Sequence, residues 1–325
     1  MAIYLKTEEE ISLMRAANRL VGSTLGELAK HIKPGVSTAY LNKIADEFIR
    51  DHGATPTFLG FPNPYGPEFP ASICTSVNEC VVHGIPSDDV ILKDGDIISI
   101  DCGTLLDGWN GDSAYTFPVG EISEELRQLL LTTRESLYLG IEKAVHGNHL
   151  GDIGQAVQDH CERQGYGIVR ELCGHGIGKK MHEDPQVPNY GKRGNGVRLK
   201  EGMCIAIEPM VTQGDRKIWL LQDKWSISTR DRKPAAHFEH TIAIHKGEAE
   251  ILSSFENIEE DEVGEDILNV DETPKHEEIE EAPMDEEVKE TPVDTTVEEV
   301  IQDTKVETDD DNLFDLIDSM YQENE

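Results

Sequence analysis

The sequence is poor in basic residues, and this scarcity limits the partners it can bind. Among 325 residues, 29 are Lys or Arg and 64 are Asp or Glu, which gives a formal net charge of −35 at pH 7. Proteins bind nucleic acids by placing clustered Lys and Arg side chains against the phosphates. The composition therefore predicts no direct nucleic-acid binding.

The sequence also lacks the features of a secreted or membrane protein. The segment MAIYLKTEEE at residues 1–10 has no basic stretch followed by an apolar one, so we expect no secretion signal. No apolar run reaches the roughly 20 residues that a membrane-spanning helix needs. Six cysteines are present without a Cys-X-X-Cys pair, and we expect them to be reduced thiols in a cytoplasmic protein.

Acidic residues are concentrated at one end of the chain. Residues 256–325 contain 29 acidic and 3 basic residues, so they carry −26 of the total charge of −35. Residues 1–255 have mixed charge and enough apolar content for one substantial core, and we predict that they form a single domain. The acidic composition predicts a disordered tail from residue 256 onward, because such a segment cannot bury enough apolar surface to fold alone.

One stretch of the tail has a different pattern. Residues 312–321 place six apolar side chains at helical spacing, which predicts a short amphipathic helix that docks on a partner from the end of a tether. The alternative is a disordered end whose acidic surroundings only aid solubility or contact basic surfaces. The six side chains are Leu313, Phe314, Leu316, Ile317, Met320 and Tyr321.

Helix and strand signals alternate in blocks through the first 255 residues, which predicts an α+β or mixed α/β domain. Helices are predicted after a capping box at Thr7 and Glu10, after Ser37 or Thr38, from Ser123 to about Ala144, and over residues 153–163. Short apolar runs predict strands at residues 73–77, 97–100, 115–119, 203–207 and 241–245. Residues 54–71 are rich in proline and glycine and are predicted to form a loop.

One turn-and-strand unit occurs twice. Residues 92–101 read LKDGDIISID, and residues 199–208 read LKEGMCIAIE. Each unit ends in a carboxylate, so a pseudo-two-fold sheet would place two carboxylates in related positions. Coincidence is the alternative, because turn-and-strand units of this kind are common.

Four carboxylates lie beside apolar strand sequence, where a protein core would not place them unpaired. They are Asp101, Asp112, Glu208 and Glu239. A single buried carboxylate is usually explained by a Lys or Arg partner or by a turn that it caps, because leaving it unpaired is costly. Four of them in this pattern favour a cation-binding cluster, and two divalent ions match their charge best.

Three histidines accompany these carboxylates. His175 lies among glycines in CGHGIG, His83 lies in VVHGIP, and His182 lies in MHEDP. A lone histidine is more often structural, but one imidazole with four carboxylates is a ligand set that suits Mn, Fe(II), Co or Zn. Paired ions activate water for hydrolysis, one of them can take the free amino group of a peptide, and further histidines can polarise a carbonyl.

Taken in order, these residues resemble methionine aminopeptidases of the compact bacterial type I form. The resemblance covers about residues 3–250. It implies the α+β pita-bread fold, with pseudo-two-fold symmetry and a curved antiparallel sheet flanked by helices. It also implies a monomer that removes the initiator methionine from nascent polypeptides when the second residue is small. The matching segments are NECVVHGIP, LKDGDIISIDCG, GWNGDSAYTF, GHGIGKKMHEDPQVPNY, LKEGMCIAIEPM and HFEHTIAI.

The resemblance also implies a role for each site residue. Asp112 and Glu239 would bridge two divalent ions, Asp101 would chelate one ion, and His175 with Glu208 would complete the other. Glu208 would also accept a proton from the attacking water.

Substrate contacts follow from the same resemblance. His83 and His182 would contact the substrate and stabilise the tetrahedral intermediate. The methionine pocket would be lined by Phe61, Phe69, Cys74, His83 and Trp225. The loop at residues 58–69 is longer than the resemblance predicts, which affects the rim of this pocket.

Three other interpretations remain open from sequence. A proline-specific peptidase of the same fold shares much of the ligand pattern, although such enzymes usually carry a large additional N-terminal domain. A non-catalytic relative that binds proteins is disfavoured because such relatives tend to lose metal ligands, and all five are present here. A metal-binding protein without an enzymatic role leaves the additional histidines unexplained.

Overall fold

The computed structural model describes residues 3–258. The acidic tail predicted to be disordered and the helix predicted at residues 312–321 lie outside the described residues, apart from the first three positions of the tail. Ile258 is buried and belongs to the main hydrophobic core. The packed domain therefore extends three residues beyond the boundary placed at residue 255.

Three of the four helices in the described range begin where the sequence places their caps, and α4 begins three residues before the predicted start at residue 153. The hydroxyl of Thr7 accepts the N–H of Glu10 at 3.3 Å, and the Glu10 carboxylate accepts the N–H of Thr7 at 2.9 Å, which confirms the predicted capping box. The hydroxyls of Ser37 and Ser123 each accept an N–H three residues further on. The four helices of the described range are α1 Glu8–Ala29, α2 Thr38–Asp51, α3 Glu124–Lys143 and α4 Leu150–Arg163.

Fifteen strands occur in the described range, and several are only two or three residues long. They are β1 Thr55–Pro56, β2 Ile73–Val77, β3 Cys80–Val82, β4 Ile97–Leu106, β5 Trp109–Pro118, β6 Gly167–Ile168, β7 Gly174–Gly176, β8 Glu183–Val187, β9 Cys204–Ile207, β10 Met210–Thr212, β11 Ile218–Leu220, β12 Ile227–Thr229, β13 Ala235–His237, β14 His240–Ala243 and β15 Glu250–Ile251. Every pair is antiparallel. The strand orders are β1-β4-β2 with β5 beside β4, β13-β10-β6, β11-β12-β3, and β15-β14-β9-β7-β8.

Strands β4 and β5 form a hairpin whose two strands are longer than those predicted from the sequence. The strands predicted at residues 97–100 and 115–119 leave Asp101 and Asp112 outside the ladder. Instead, β4 continues to Leu106 and β5 already includes Asp112. The turn lies at Asp107 and Gly108, whose φ angles are 51° and 80°. An Asp-Gly pair favours this left-handed two-residue hairpin turn, so both aspartates lie within the ladder rather than at its ends.

The two halves of the domain repeat one arrangement. Helices α1 and α2 precede the sheet that contains β4, while α3 and α4 precede the sheet that contains β9. Each of these strands follows a turn with a left-handed glycine, Gly95 at φ 91° and Gly202 at φ 86°. The repeated sequence unit is therefore a repeated structural unit, and the α+β pita-bread prediction is confirmed.

The described cysteines and helices agree with the simpler expectations. All six cysteines are free thiols. Within residues 3–258, no helix has the length and apolar character to cross a membrane.

Candidate active site

A single cavity brings together every site residue that the sequence analysis selected. The residues come from both halves of the domain, and Phe58 joins them. The lining comprises Phe58, Phe61, Phe69, Cys74, His83, Asp101, Asp112, His175, His182, Glu208, Trp225 and Glu239.

The ladder register places Asp101 and Asp112 on one face of the first sheet. Asp112 pairs with Gly103, and residues two apart on one strand share a face, so Gly103 lies on the same side as Asp101. The space beside Gly103 on this face is filled by the side chains of Met181 and Phe58, which an added Cβ atom would meet at 2.8 Å and 2.9 Å. The two aspartates therefore face the cavity together.

The second half supplies Glu208 and Glu239 in a related way. Ile207 at the end of β9 pairs with His240 at the start of β14. Glu208 and Glu239 are the next positions beyond this pair on the two antiparallel strands. The antiparallel pairing of β9 with β14 thus places these two carboxylates next to each other.

Glycines on either side of His175 allow β7 to approach its neighbours. A Cβ atom at Gly174 would collide with the carbonyl of Ala206, and one at Gly176 would collide with the carbonyl of Asp184. The His175 Nδ1 lies 2.9 Å from the carbonyl oxygen of Gly176. An N–H on Nδ1 donates to this carbonyl and leaves Nε2 free to act as a metal ligand.

The Nε2 atom of His175 faces the carboxylate cluster. It lies 3.5 Å from Oδ2 of Asp112 and 3.7 Å from Oε1 of Glu208. One ligand atom each from Asp112, His175 and Glu239 lies within 4.8 Å of the other two, so these three residues could hold a metal ion together.

Burial and like charge make the carboxylate cluster unstable on its own. Burial raises the pKa of Glu239 well above its usual value, and the negative charges of Asp112 and Glu208 raise it further. Burial followed by the same two charges has the same effect on the pKa of Asp101. A divalent cation relieves this repulsion and favours the ionised forms.

The cluster also has unmet hydrogen-bonding capacity that a cation would use. Among the described residues, Oδ1 of Asp101, Oδ1 of Asp112 and Oε1 of Glu239 are buried without a hydrogen-bond partner. Buried polar atoms are almost always paired, and exceptions often mark an ion or water site. Together with the oxygen-rich donor set, these atoms fit one or more divalent metal ions.

The two further histidines of the cavity are neutral. Burial, and secondarily the nearby His237, lowers the pKa of His83 to about 4. Burial, and then His175 and His83, lowers the pKa of His182 well below its usual value. His83 also adopts a left-handed φ of 58°, a conformation that is uncommon for non-glycine residues and concentrates at functional sites.

Aromatic side chains close the apolar end of the cavity. Phe69 packs edge-to-face on Trp225, with ring centroids 5.1 Å apart, and Phe61 packs edge-to-face on His182 at 5.2 Å. Cys74 pairs with Asp101 across β2 and β4, so the apolar wall adjoins the charged cluster. The indole N–H of Trp225 donates to the carbonyl of Pro67 at 2.8 Å, which ties this wall to the long loop.

One buried imidazole beside the cluster was not predicted from the sequence. His237 ends β13, and its Nε2 lies 3.6 Å from Oε2 of Glu208. The sequence did contain an indication of this position. His237 and Glu239 are two residues apart in extended chain, so their side chains tend to face the same side. Phe58, at the start of the long loop, was also missed as a lining residue.

Comparison with known proteins agrees with this geometry. The family model described as Metallopeptidase family M24 matches residues 12–246. The chain belongs to metallopeptidase family M24. A relative in this family, the methionine aminopeptidase of Clostridium acetobutylicum, is 51% identical over 251 residues, which cover 77% of this chain and 98% of the relative.

Solved structures of the M24 fold are also similar to this chain. The crystal structure of the methionine aminopeptidase from Rickettsia prowazekii matches with a TM-score of 0.75 and 41% identity, covering 78% of this chain and all of that one. A prolidase from Pyrococcus horikoshii matches with a TM-score of 0.63 and 23% identity, covering 64% of that chain. The prolidase shares the fold, while the two methionine aminopeptidases are matched over nearly their whole length by 77–78% of this chain.

Proposed function

We propose that this protein is a methionine aminopeptidase that removes the initiator methionine from nascent polypeptides whose second residue is small. The observation that carries the proposal is the single cavity in which the carboxylate–histidine cluster adjoins an aromatic pocket. The similarity to methionine aminopeptidases over nearly their whole length supports the same reaction.

The metal ligands in this proposal are the five residues of the cluster. Asp112 and Glu239 lie at its centre and would be shared between two ions, with Asp101 on one ion and His175 and Glu208 on the other. The donor set suits Co, Mn, Fe(II) or Zn. Bound ions would supply a water of lowered pKa and would polarise the scissile carbonyl.

Residues of the chain itself then guide the reaction. Glu208 is partly exposed to the cavity and accepts the proton of the attacking water, which it passes to the departing amine as the carbon–nitrogen bond breaks. His83 and His182 are neutral, so each has one N–H to donate. These N–H groups hold the substrate carbonyl and the tetrahedral intermediate.

The aromatic wall supplies the specificity for methionine. Phe61, Phe69 and Trp225 with the Cys74 thiol form an apolar end that accepts a thioether, because sulfur packs favourably on aromatic rings. The longer loop at residues 58–69 contributes both phenylalanines and closes on itself through hydrogen bonds between Gly60, Phe61 and Phe69. The loop thus extends the rim without removing the predicted pocket residues.

Cellular context is part of the same proposal. Nascent chain N-termini are the substrate, and the free cysteines suit the reducing cytoplasm. We propose a monomer, with a ribosome or protein contact through the acidic tail, which lies outside the described residues.

Peptide cleavage tests the proposed function. Metal-free full-length protein is supplemented with Co, Mn or Fe(II) and given Met-Ala-Ser, Met-Lys-Ser and an Xaa-Pro peptide, with Glu208→Ala as the control. We expect methionine release from Met-Ala-Ser alone and none from the control. Cleavage of only the Xaa-Pro peptide would assign the protein to the proline-specific relatives. No cleavage by folded, metal-loaded protein would favour a binding role.

A further inference from the structure

The carboxylate of Glu208 lies between two imidazoles. His175 Nε2 is 3.7 Å from its Oε1, and His237 Nε2 is 3.6 Å from its Oε2. The first imidazole belongs to the proposed metal cluster. The second does not line the cavity and is only 2% exposed, so it approaches Glu208 from behind.

The backbone of His237 is held in place by one buried hydroxyl. The Thr116 hydroxyl donates to the carbonyl oxygen of His237 at 2.7 Å and accepts the N–H of His237 at 2.9 Å. The Ser99 hydroxyl donates to the hydroxyl oxygen of Thr116 at 2.8 Å, because the proton of Thr116 is already given to His237. A hydroxyl has one donor and two acceptor positions, so Thr116 is fully satisfied. His237 therefore cannot shift without breaking this arrangement.

The sheet also determines which residue His237 can reach. Its pairing partner in β10 is Met210, two residues after Glu208. The carbonyl oxygen of Glu208 accepts the amide N–H of Asn189 at 2.8 Å. The backbone of Glu208 is thus fixed by Asn189, and its side chain extends toward the imidazole of His237.

A purely structural role for His237 does not explain why a polar ring nitrogen is buried there. Among the described residues, Nε2 of His237 is buried without a hydrogen-bond partner, and a buried donor left unpaired is destabilising. At 3.6 Å, Glu208 Oε2 is just beyond hydrogen-bond distance. A shift of a few tenths of an ångström in the flexible glutamate side chain would close this gap.

We propose that His237 is a positioning residue for Glu208. Its imidazole donates to Oε2 and thereby directs Oε1 toward His175 and the proposed metal centre. The inference rests on the proposed function, in which Glu208 is both metal ligand and proton acceptor. Groups that orient metal ligands in this way typically change metal affinity or activity by about 10- to 100-fold when they are removed.

The test uses the full-length chain with His237→Leu, which removes the donor at similar volume, and His237→Gln, which keeps a donor of similar reach. Calorimetric titration of the metal-free proteins with Mn(II) measures affinity and stoichiometry, and release of methionine from Met-Ala-Ser gives kcat and KM. His52→Leu, at an exposed histidine beyond α2, is the matched control.

For His237→Leu we expect Mn(II) affinity and kcat each to fall by about 10-fold or more, with KM changed less than about twofold. His237→Gln should recover to within about threefold of wild type. Unchanged affinity and kcat in the Leu variant, or equal losses in both variants, would overturn the proposal in favour of packing.

Two controls keep this result interpretable. If His237→Leu fails to fold, His237→Asn replaces it, because the shorter amide cannot reach Glu208 and should behave like Leu. If the wild type binds Mn(II) but releases no methionine, the proposed function fails. The metal titrations of the variants would still decide the role of His237.

Discussion

The hydroxyl of Thr241 donates to the carbonyl oxygen of Asp112 at 2.8 Å, which joins β14 of the second half to β5 of the first. Beside it, the Ser113 hydroxyl donates to the carbonyl of Glu239 at 2.6 Å, and the Glu239 N–H donates to the carbonyl of Ala114 at 2.9 Å. These bonds join the two halves of the domain next to Asp112 and Glu239. The central carboxylates are therefore positioned by the junction itself.

Replacing Thr241 by Val removes one of these bonds with little change in side-chain volume. Thr241 is fully buried, so the Asp112 carbonyl loses its hydroxyl donor without gaining water. We expect the free energy of unfolding to fall by about 1–2 kcal/mol, measured by urea denaturation of metal-free protein. Ser254→Ala, outside this junction, is the control. Stability equal to wild type would mean that the junction does not depend on this bond.

Replacing Glu239 by Gln should stabilise the metal-free protein while removing its response to metal. The pKa of Glu239 is raised in the fold. The contribution of Glu239 to the free energy of unfolding is therefore most favourable below about pH 4.5, which is its pKa in the unfolded chain. This contribution is lost as the pH rises through the higher pKa of the folded state. At pH 7.5 the uncharged amide of the Glu239→Gln variant removes the repulsion between Glu239 and the carboxylates of Asp112 and Glu208.

Thermal unfolding measures both effects of the Glu239 change. We expect the Tm of the metal-free variant to rise by roughly 2–4 °C, whereas Mn(II) should raise the Tm of wild type only. Glu47→Gln, on the exposed face of α2, should change neither value. A metal-free variant less stable than wild type would contradict the electrostatic account of the cluster.

His240 should make stability depend on pH in the opposite direction. Burial, and secondarily the charge of Arg134, lowers the pKa of His240 to about 3. Its ring lies 3.0 Å from the Ser253 hydroxyl and stacks on Phe255 at 4.0 Å between centroids. Because the pKa is lowered in the fold, the contribution of His240 to stability is fully present above about pH 6.5. It is lost as the pH falls toward 3.

The measurement compares wild type with His240→Gln, which cannot become charged. The stability advantage of wild type at pH 7.5 should shrink by about 2 kcal/mol at pH 5.0, because each pH unit below 6.5 costs up to about 1.4 kcal/mol. Urea denaturation at both pH values gives this difference. An advantage that is the same at both values would show that His240 does not titrate in this range.

The aromatic wall predicts a change in substrate binding rather than in chemistry. Trp225→Leu loses the hydrogen bond to Pro67 and the edge-to-face contact with Phe69. We expect KM for Met-Ala-Ser to rise about tenfold with kcat nearly constant, since the side chain contributes uniform binding. Tyr65→Ser, at the exposed tip of the same loop, should leave both constants unchanged. A lower kcat with constant KM would place Trp225 nearer the chemistry.

Local features of the fold could be predicted from the sequence. The caps at Thr7, Ser37 and Ser123 depend on neighbours only three residues away, and the structure confirms all three. The repeated unit also carried enough local information to indicate two related halves.

Non-local features could not be derived in the same way. Strands β10 and β13 have only three residues each, and such short segments have no distinct hydrophobic period. Their pairing places His237 behind Glu208, which depends on contacts nearly thirty residues apart. The carboxylate pattern favoured a cation-binding cluster, but the role of each of the five residues in it came from family resemblance.

The most direct test of the account is metal-dependent release of methionine from Met-Ala-Ser. Wild type and Asp112→Asn are stripped of metal with a chelator and titrated with Mn(II), and the liberated methionine is measured by mass spectrometry. The account predicts no release without metal, rising release in wild type as the cluster fills, and a loss of at least about 100-fold in Asp112→Asn. Equal release by stripped and loaded wild type would contradict it, because the carboxylate cluster would then have no part in the reaction.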